Sequence, residues 1–266
     1  MTRSLFCEEK MLDTAIRAAR EAGQTLVNLF RQPHQVHSKG LRDISTEADL
    51  AAEQIVMDMI RADCPDARFC SEETANGPLA EGDGPVWYID PLDGTTNYAR
   101  GLPMWCVSIA MAQGGVVQCG VVYDPLTDDL FAAQRGQGST HNGSPLRVSD
   151  RATLDQATIL VDWPRNQTLR ERNARMVARL AALVDSVRSR GCAAQTLCCV
   201  AAGWAEAYFQ YTLQPWDVAA GVLILEEAGG HVTDLQGRPW SLQQPDWLCT
   251  NGHIHAALLA LDPLHA

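Results

Sequence analysis

The residues with the most chemical potential lie together in Trp87-Tyr88-Ile89-Asp90-Pro91-Leu92-Asp93-Gly94-Thr95-Thr96-Asn97-Tyr98, where an apolar run ends in two aspartates three positions apart. Pro91 fixes its backbone and forces a sharp exit from the strand, so Asp90 and Asp93 converge on one point while the Leu92 carbonyl turns inward. Carboxylates plus a carbonyl are the ligands of a hard cation. Gly94 permits close backbone approach, and a helical turn opening at Thr95 would aim its free N–H groups at an anion beside that cation. The same Asp-Pro-x-Asp-Gly stretch is also a tight turn made of the commonest turn formers, and alone it does not choose between the two. Two distant acidic positions bear on the choice. Glu72 and Glu73 follow Ser71 at the end of a short strand, and Asp217 follows Trp216 at the opening of a helix, each a carboxylate at an element's end where sites form.

The elements that must position these groups are readable in outline. Leu12, Ile16, Ala19, Leu26, Leu29 and Phe30 keep helical spacing until Pro33. Thr46-Glu47-Ala48-Asp49 has the form of a capping box before a second helix that carries Ala52, Ile55, Val56, Met59 and Ile60 on one face and ends before Pro65. Residues 66–140 change to short apolar runs between Gly, Pro and Asp: 67–70, 86–89, 107–111, 116–123 and 130–133. They predict a mainly antiparallel sheet, closed by an Asn142-Gly143 turn. A strand over 158–162, a polar helix over 168–183, a buried helix over the nearly charge-free run 192–208, and a helix over 217–228 capped by Gly229-Gly230 complete the chain. No repeat or linker divides it. Two halves, 1–150 with most of the acidic ligands and 151–266 with Asp217, are expected to pack against each other in a layered α+β arrangement.

With 266 residues, 46% hydrophobic and 20% charged, the chain is long enough for a substantial core, and the composition excludes disorder and coiled coil. A net charge of −11 is the wrong sign for tracking a nucleic-acid backbone, so nucleic acid is not expected as the main ligand, but acidic residues that hold divalent cations still suit a small phosphorylated substrate. Residues 101–123 carry no charge and could span a bilayer by length, yet Gln113, Gly114, Gly115 and Gln118 interrupt them; a buried hairpin is the expectation, and no membrane segment. Nine cysteines without a C-x-x-C pair, and an N-terminus too charged for a secretory segment, point to reduced thiols in the cytoplasm. His34, His37, His253 and His255 are assigned no chemistry, and Cys198 and Cys199 are expected in the core.

The segment 90–97 resembles the first signature of the inositol monophosphatase family, Mg²⁺-dependent, lithium-sensitive hydrolases of phosphate monoesters. Trp216-Asp217-Val218-Ala219-Ala220-Gly221 with Glu227-Ala228-Gly229-Gly230 is similar to its second signature, and Asp43-Ile44-Ser45-Thr46-Glu47-Ala48-Asp49 and Glu72-Glu73 to its N-terminal motifs. The resemblance runs in order from about residue 10 to residue 255. It implies the layered αβαβα sandwich shared with the fructose-1,6-bisphosphatases. It further implies two or three Mg²⁺ ions on Glu72, Asp90, the Leu92 carbonyl, Asp93 and Asp217, which would neutralise the substrate phosphate so that water can attack in line. Glu72, Asp49 and Thr95 form the implied catalytic set, Asp49 and Thr95 deprotonating the water. Gly94 and Thr95 would cradle the phosphate beside Asp93 and Asp217. Asp49 also suits the capping box, and the two roles are compatible.

Leaving-group specificity is implied for Gly191, Cys192, Ala193 and Gln210. Here the chain departs from the animal inositol enzymes: Gln210 stands for a Glu, Cys192 for a Ser or Thr, and Ser71 for a Gly. Thr95-Thr96-Asn97 sides with the inositol group, while Gln210 keeps histidinol phosphate and fructose 1,6-bisphosphate open as substrates. Some bacterial members also bind transcription or RNA-processing machinery, a second reading of the chain. Members are commonly homodimers, and the apolar hairpin 107–122 is one candidate interface.

Overall fold

An apolar hairpin with no charged residue must be covered on both faces, and the architecture meets that requirement with helices on either side. A computed structural model describes residues 2–32, 35–74 and 84–261, with side chains from Lys10 onward. The chain runs α1 (Thr2–Leu29), β1 (Val36–Gly40), β2 (Asp43–Thr46), α2 (Glu47–Asp63), β3 (Arg68–Ser71), β4 (Val86–Asp93), α3 (Thr95–Ala99), β5 (Cys106–Gln113), β6 (Val116–Asp124), β7 (Asp129–Gln134), β8 (Gly138–His141) and β9 (Ser144–Pro145). It continues with β10 (Thr158–Val161), α4 (Gln167–Leu180), β11 (Ser186–Arg188), α5 (Ala193–Ala201), β12 (Ala207–Tyr211), α6 (Pro215–Glu227), β13 (His231–Thr233), β14 (Asp246–Thr250) and α7 (His255–Leu259).

Strands β3 to β9 pair in chain order as a seven-stranded sheet, antiparallel except for the parallel β3–β4 edge. A second, mixed sheet has the order β11-β10-β12-β14-β13. Side chains that alternate along β5 separate two cores. Val107, Ile109 and Met111 join α1 and α2 on one face, while Cys106, Ala110 and Ala112 join α5 and α6 on the other. The five-stranded sheet covers α5 and α6 from beyond, and Met176, Leu180 and Leu258 of α4 and α7 close its outer face. The layers are therefore α, β, α, β, α, as expected. Gly120 of β6 fixes the spacing at the centre: a Cβ there would stand 2.8 Å from the Ala220 Cα of α6, so only glycine lets helix and sheet meet backbone to backbone.

The capping box at Thr46, the helix ending before Pro65, the 106–124 hairpin and the Asn142-Gly143 turn all form. The hairpin lies inside the sheet with both faces covered, so it offers no apolar face to a partner. The run 192–208 is not one helix. It divides into α5, a turn with Gly203 at φ +70°, and β12, whose five residues are all buried; lack of charge reports burial on every side but not the period. The polar helix α4 stops at Leu180 rather than 183, and α6 opens two residues before Asp217, at Pro215. Pro33 and His34, and the side chain of Cys7, lie outside the described residues.

His255 is a strut inside the C-terminal core. Its Nε2 and Nδ1 lie 2.9 Å from the hydroxyls of Thr233 and Thr250. Thr233 spends its one proton on the Asp234 carbonyl, so it accepts from Nε2–H, and Thr250, which accepts from the Gly252 N–H, donates to Nδ1. A second ring proton would break the Thr250 bond. Burial, with the neighbouring His231 ring, lowers the His255 pKa from 6.5 to about 4. The unfolded chain takes up this proton below pH 6.5 and the native chain only near 4, so this contribution is fully present above pH 6.5 and is lost as pH falls. Between pH 7.5 and 5 the loss is about 2 kcal/mol. Urea midpoints of the wild type and His255→Gln, measured at both pH values, should show the acid-side loss larger in the wild type by that amount.

Candidate active site

The strand does not end at Pro91 as expected: β4 runs through it to Asp93, and a one-residue bulge, not a strand exit, puts the two central aspartates on the same side of the sheet. Along β4 the pairing partner steps from Ser108 opposite Asp90 to Cys106 opposite Asp93, so three residues of β4 span two of β5. Without the bulge, residues three apart would face opposite ways. With it, both carboxylates face the α5–α6 layer, both buried. Asp90 Oδ1 accepts from the Leu92 N–H at 3.0 Å. Asp93 Oδ2 accepts from the Ala194 N–H at 2.6 Å, at the start of α5, with the Cys192 thiol 3.2 Å away. Gly94 makes the turn at φ +95°, with no room for a Cβ, which would meet the Met104 carbonyl at 2.8 Å.

Asp49 and Asp217 each occupy the third position of a helix and divide their oxygens. Asp49 Oδ2 accepts from the Thr46 N–H at 2.8 Å and its hydroxyl at 2.6 Å, while Oδ1 lies 3.0 Å from the Thr95 hydroxyl. That hydroxyl is equally 3.0 Å from the Leu92 carbonyl and gives its single proton to one of the two at a time. Asp217 Oδ2 accepts from the Gln214 N–H at 2.8 Å, leaving Oδ1 outside the cap. The capping role foreseen for Asp49 is thus present, and it leaves the second oxygen to Thr95.

Glu72 sits on the turn after β3, where Lys39 from the exposed hairpin strand β1 reaches it at 3.1 Å and Glu73 at 2.5 Å. Burial, eased by Lys39, lifts Glu73 to about 7. Glu53 of α2 holds this turn from below. Its Oε1 accepts from the Ser71 hydroxyl and the N–H groups of Glu73 (3.3 Å) and Thr74 (3.1 Å), and Oε2 from the Thr74 hydroxyl at 2.6 Å. Ser71 is therefore not an idle departure from Gly: its hydroxyl is a rivet of the turn.

These groups surround a cleft of about 380 Å³, lined by Glu72, Asp90, Leu92, Asp93, Gly94, Thr95, Gly191, Cys192, Ala193, Gln210 and Asp217. Asp49 stands behind Thr95, outside the lining. Gln210 Oε1 accepts from the Tyr211 N–H at 2.9 Å, so its amide presents a donor where a Glu would accept. Sequence reasoning missed the opposite wall, where Arg42, Arg165 and Arg170 line the cleft, Arg165 paired with Asp43 at 2.7 Å. It also missed Asp162, whose Oδ1 gathers the N–H of Gly191 (2.7 Å) and Arg190 (3.1 Å) and the Ser189 hydroxyl (3.0 Å). A carboxylate at the end of β10 was the available signal. Asn97 ties the two loops together, its Nδ2 donating to the carbonyls of Met104 (2.8 Å) and Arg190 (2.9 Å).

The sequence profile described as "Inositol monophosphatase family" matches residues 8–262. The chain belongs to the inositol monophosphatase family. It is 36% identical to "Inositol monophosphatase 2" of Solanum lycopersicum over 94% of this chain and 97% of the relative. It is 40% identical to "Nus factor SuhB" of Pasteurella multocida over 93% and 91%. The crystal structure of the extragenic suppressor protein suhB from Bartonella henselae superposes with a TM-score of 0.90 at 33% identity, covering 95% of this chain and 98% of that one.

As a member of the inositol monophosphatase family the chain is a phosphatase that uses a divalent metal, and its site fits that requirement. Burial, together with the charges of Glu72 and its neighbours, holds Asp90 and Asp217 well above the usual carboxylate range. Asp93 rises to about 6, burial outweighing its hydrogen bonds from Ala194 and Cys192. Buried oxygens that repel one another are a donor set for a hard cation, which removes the reason for the shifts. No helix among the described residues is long and apolar enough to cross a membrane. Removing the rivet beneath Glu72 tests the local architecture: Glu53→Ala strands two hydroxyls and two N–H groups and is expected to lower unfolding stability by roughly 3 kcal/mol in a urea titration.

Proposed function

We propose that the chain hydrolyses the phosphate monoester of a small polyol or sugar, inositol 1-phosphate first, with two or three Mg²⁺ ions held by Glu72, Asp90, the Leu92 carbonyl, Asp93 and Asp217. The observation that carries this reading is Asp49 Oδ1 sharing the Thr95 hydroxyl at 3.0 Å beside the buried carboxylates, a proton acceptor aimed where water would stand. Bound magnesium would supply the positive charge that lets an oxygen nucleophile approach a phosphate dianion and offsets the charge left on the departing oxygen. Thr95 orients the water and passes its proton toward Asp49, whose buried carboxylate has a raised proton affinity, desolvation outweighing its bonds to Thr46 and Thr95. The N–H groups of Gly94 and Thr95 hold the phosphate. Arg42, Arg165 and Arg170 give the cleft of an acidic protein a positive wall that favours an anionic substrate.

The leaving group meets Gly191, Cys192, Ala193 and Gln210. With its Oε1 already accepting from the Tyr211 N–H, Gln210 offers its NH2 as a donor to an oxygen of the alcohol, which inositol, histidinol and fructose phosphates all satisfy differently. Phosphate release from inositol 1-phosphate, histidinol phosphate and fructose 1,6-bisphosphate, with and without Mg²⁺, ranks them by kcat/KM. We expect inositol 1-phosphate to lead and activity to vanish without metal. Asp93→Asn should lower kcat by several orders of magnitude with the fold retained; an active variant would remove Asp93 from the ligand set. Thr95→Ala should lower kcat more than it raises KM, whereas an unchanged kcat with a raised KM makes Thr95 a ground-state phosphate contact.

A second reading has its own support in the relatives named Nus factor SuhB. A stable complex with transcription factors that survives Asp93→Asn would favour it. We further propose a homodimer in the cytoplasm. The described cysteines are buried and none of them forms a disulfide, which is compatible with a reducing compartment, and exposed Trp204 offers apolar surface outside the covered hairpin.

A further inference from the structure

One cluster at the wall of the cleft includes a feature that phosphate hydrolysis does not use, a pair of thiols against a carboxylate. The bulge in β4 sets Asp93 opposite Cys106 at the start of β5, and Cys192, the residue that caps α5, completes a triangle with them. The two Sγ atoms are 3.5 Å apart, and Asp93 Oδ2 lies 3.2 Å from Cys192 Sγ and 3.9 Å from Cys106 Sγ. Among the described residues, this is the one group of three His, Cys, Asp or Glu side chains whose ligand atoms all fall within 4.8 Å of one another. All three are buried.

The triangle has the dimensions of a particular coordination sphere. A tetrahedral Zn²⁺ with bonds of about 2.3 Å to sulfur and 2.0 Å to oxygen separates its sulfurs by about 3.8 Å and each sulfur from the oxygen by about 3.5 Å. Two thiolates and a carboxylate are a borderline-soft donor set, which selects Zn²⁺ or Cd²⁺ over Mg²⁺. Asp93 and Cys192 line the cleft, so an ion arriving from solvent meets two of the three ligands first and has water for its fourth position.

We propose that Asp93, Cys106 and Cys192 form a capture site for one thiophilic divalent cation, Zn²⁺ or Cd²⁺, next to the hydrolytic centre. Binding forms two metal–sulfur bonds and releases two thiol protons to solvent, with no change of oxidation state. The site stands on these three residues alone. Its consequence, inhibition of phosphate release because Asp93 is withdrawn, rests on the proposed role of Asp93 in holding Mg²⁺.

The test uses the reduced full chain in excess Mg²⁺ with one equivalent of Zn²⁺. Zinc-edge X-ray absorption is expected to show two sulfur neighbours at about 2.3 Å. A shell of oxygen and nitrogen only, as from zinc on the carboxylates, overturns the site. Cd²⁺ titration should raise a sulfur-to-cadmium charge-transfer band that saturates at one equivalent and falls by at least half in Cys106→Ala. The same variant, lying outside the hydrolytic machinery, should keep its basal phosphate release and need at least about tenfold more Zn²⁺ for half inhibition, a difference of roughly 1.4 kcal/mol. If Cys106→Ala does not fold, Cys106→Ser serves, and unchanged Cd²⁺ and Zn²⁺ responses in the folded variant overturn the proposal. A sulfur shell with unimpaired hydrolysis supports the site and counts against Asp93 as a magnesium ligand, so the two failures are distinguishable.

Discussion

Four carboxylates drawn into one cleft repel each other and lose water that no neighbouring group fully replaces, and much of the surrounding structure answers that strain. Each acid is met by a donor the backbone already owns or by a cation: the Leu92 N–H for Asp90, the Ala194 N–H for Asp93, the Gln214 N–H for Asp217 and Lys39 for Glu72. These contacts lower the penalty without cancelling it, and the raised proton affinities of Asp90, Asp93 and Asp217 are the remainder. A fold that keeps such a remainder is primed for a divalent ion.

The layers exist to hold those donors in register. The bulge gives Asp90 and Asp93 a common face, and α5 and α6 bring their first turns to that face because the middle layer is pressed against the sheet. The Gly120–Ala220 contact sets how closely α6 approaches, and hence how deep Asp217 stands. Small residues far from the chemistry thereby carry part of its geometry.

What the sequence disclosed follows from how local each feature is. Asp90, Leu92, Asp93, Gly94 and Thr95 are close neighbours in the chain, so their convergence was legible, but its cause was not: β4 runs on through Pro91, and the bulge that aligns the two aspartates is set by pairing with β5. The Thr46–Asp49 box was legible for the same reason. Glu53 was not: it looks like any polar residue inside a helix until the fold sets it beneath Ser71, 18 positions away. Lys39 and Asp162 act across 33 and 29 positions on Glu72 and Gly191. The run 192–208 misled because an uncharged segment reports burial from all sides, which a middle-layer helix and a central strand share.

Asp49 and Asp217 each give one oxygen to starting a helix and keep the other outside that task. An N-terminal cap of this kind is worth about 0.5–2 kcal/mol to folding whether or not the protein turns over a substrate. A descendant that abandoned hydrolysis for a scaffolding role would still be under pressure to retain both aspartates. Their persistence in a relative is therefore poor testimony to enzymatic function, and a pseudoenzyme of this architecture would first betray itself at Glu72, which lies in a turn, or at Thr95, which opens α3 without its side chain capping it.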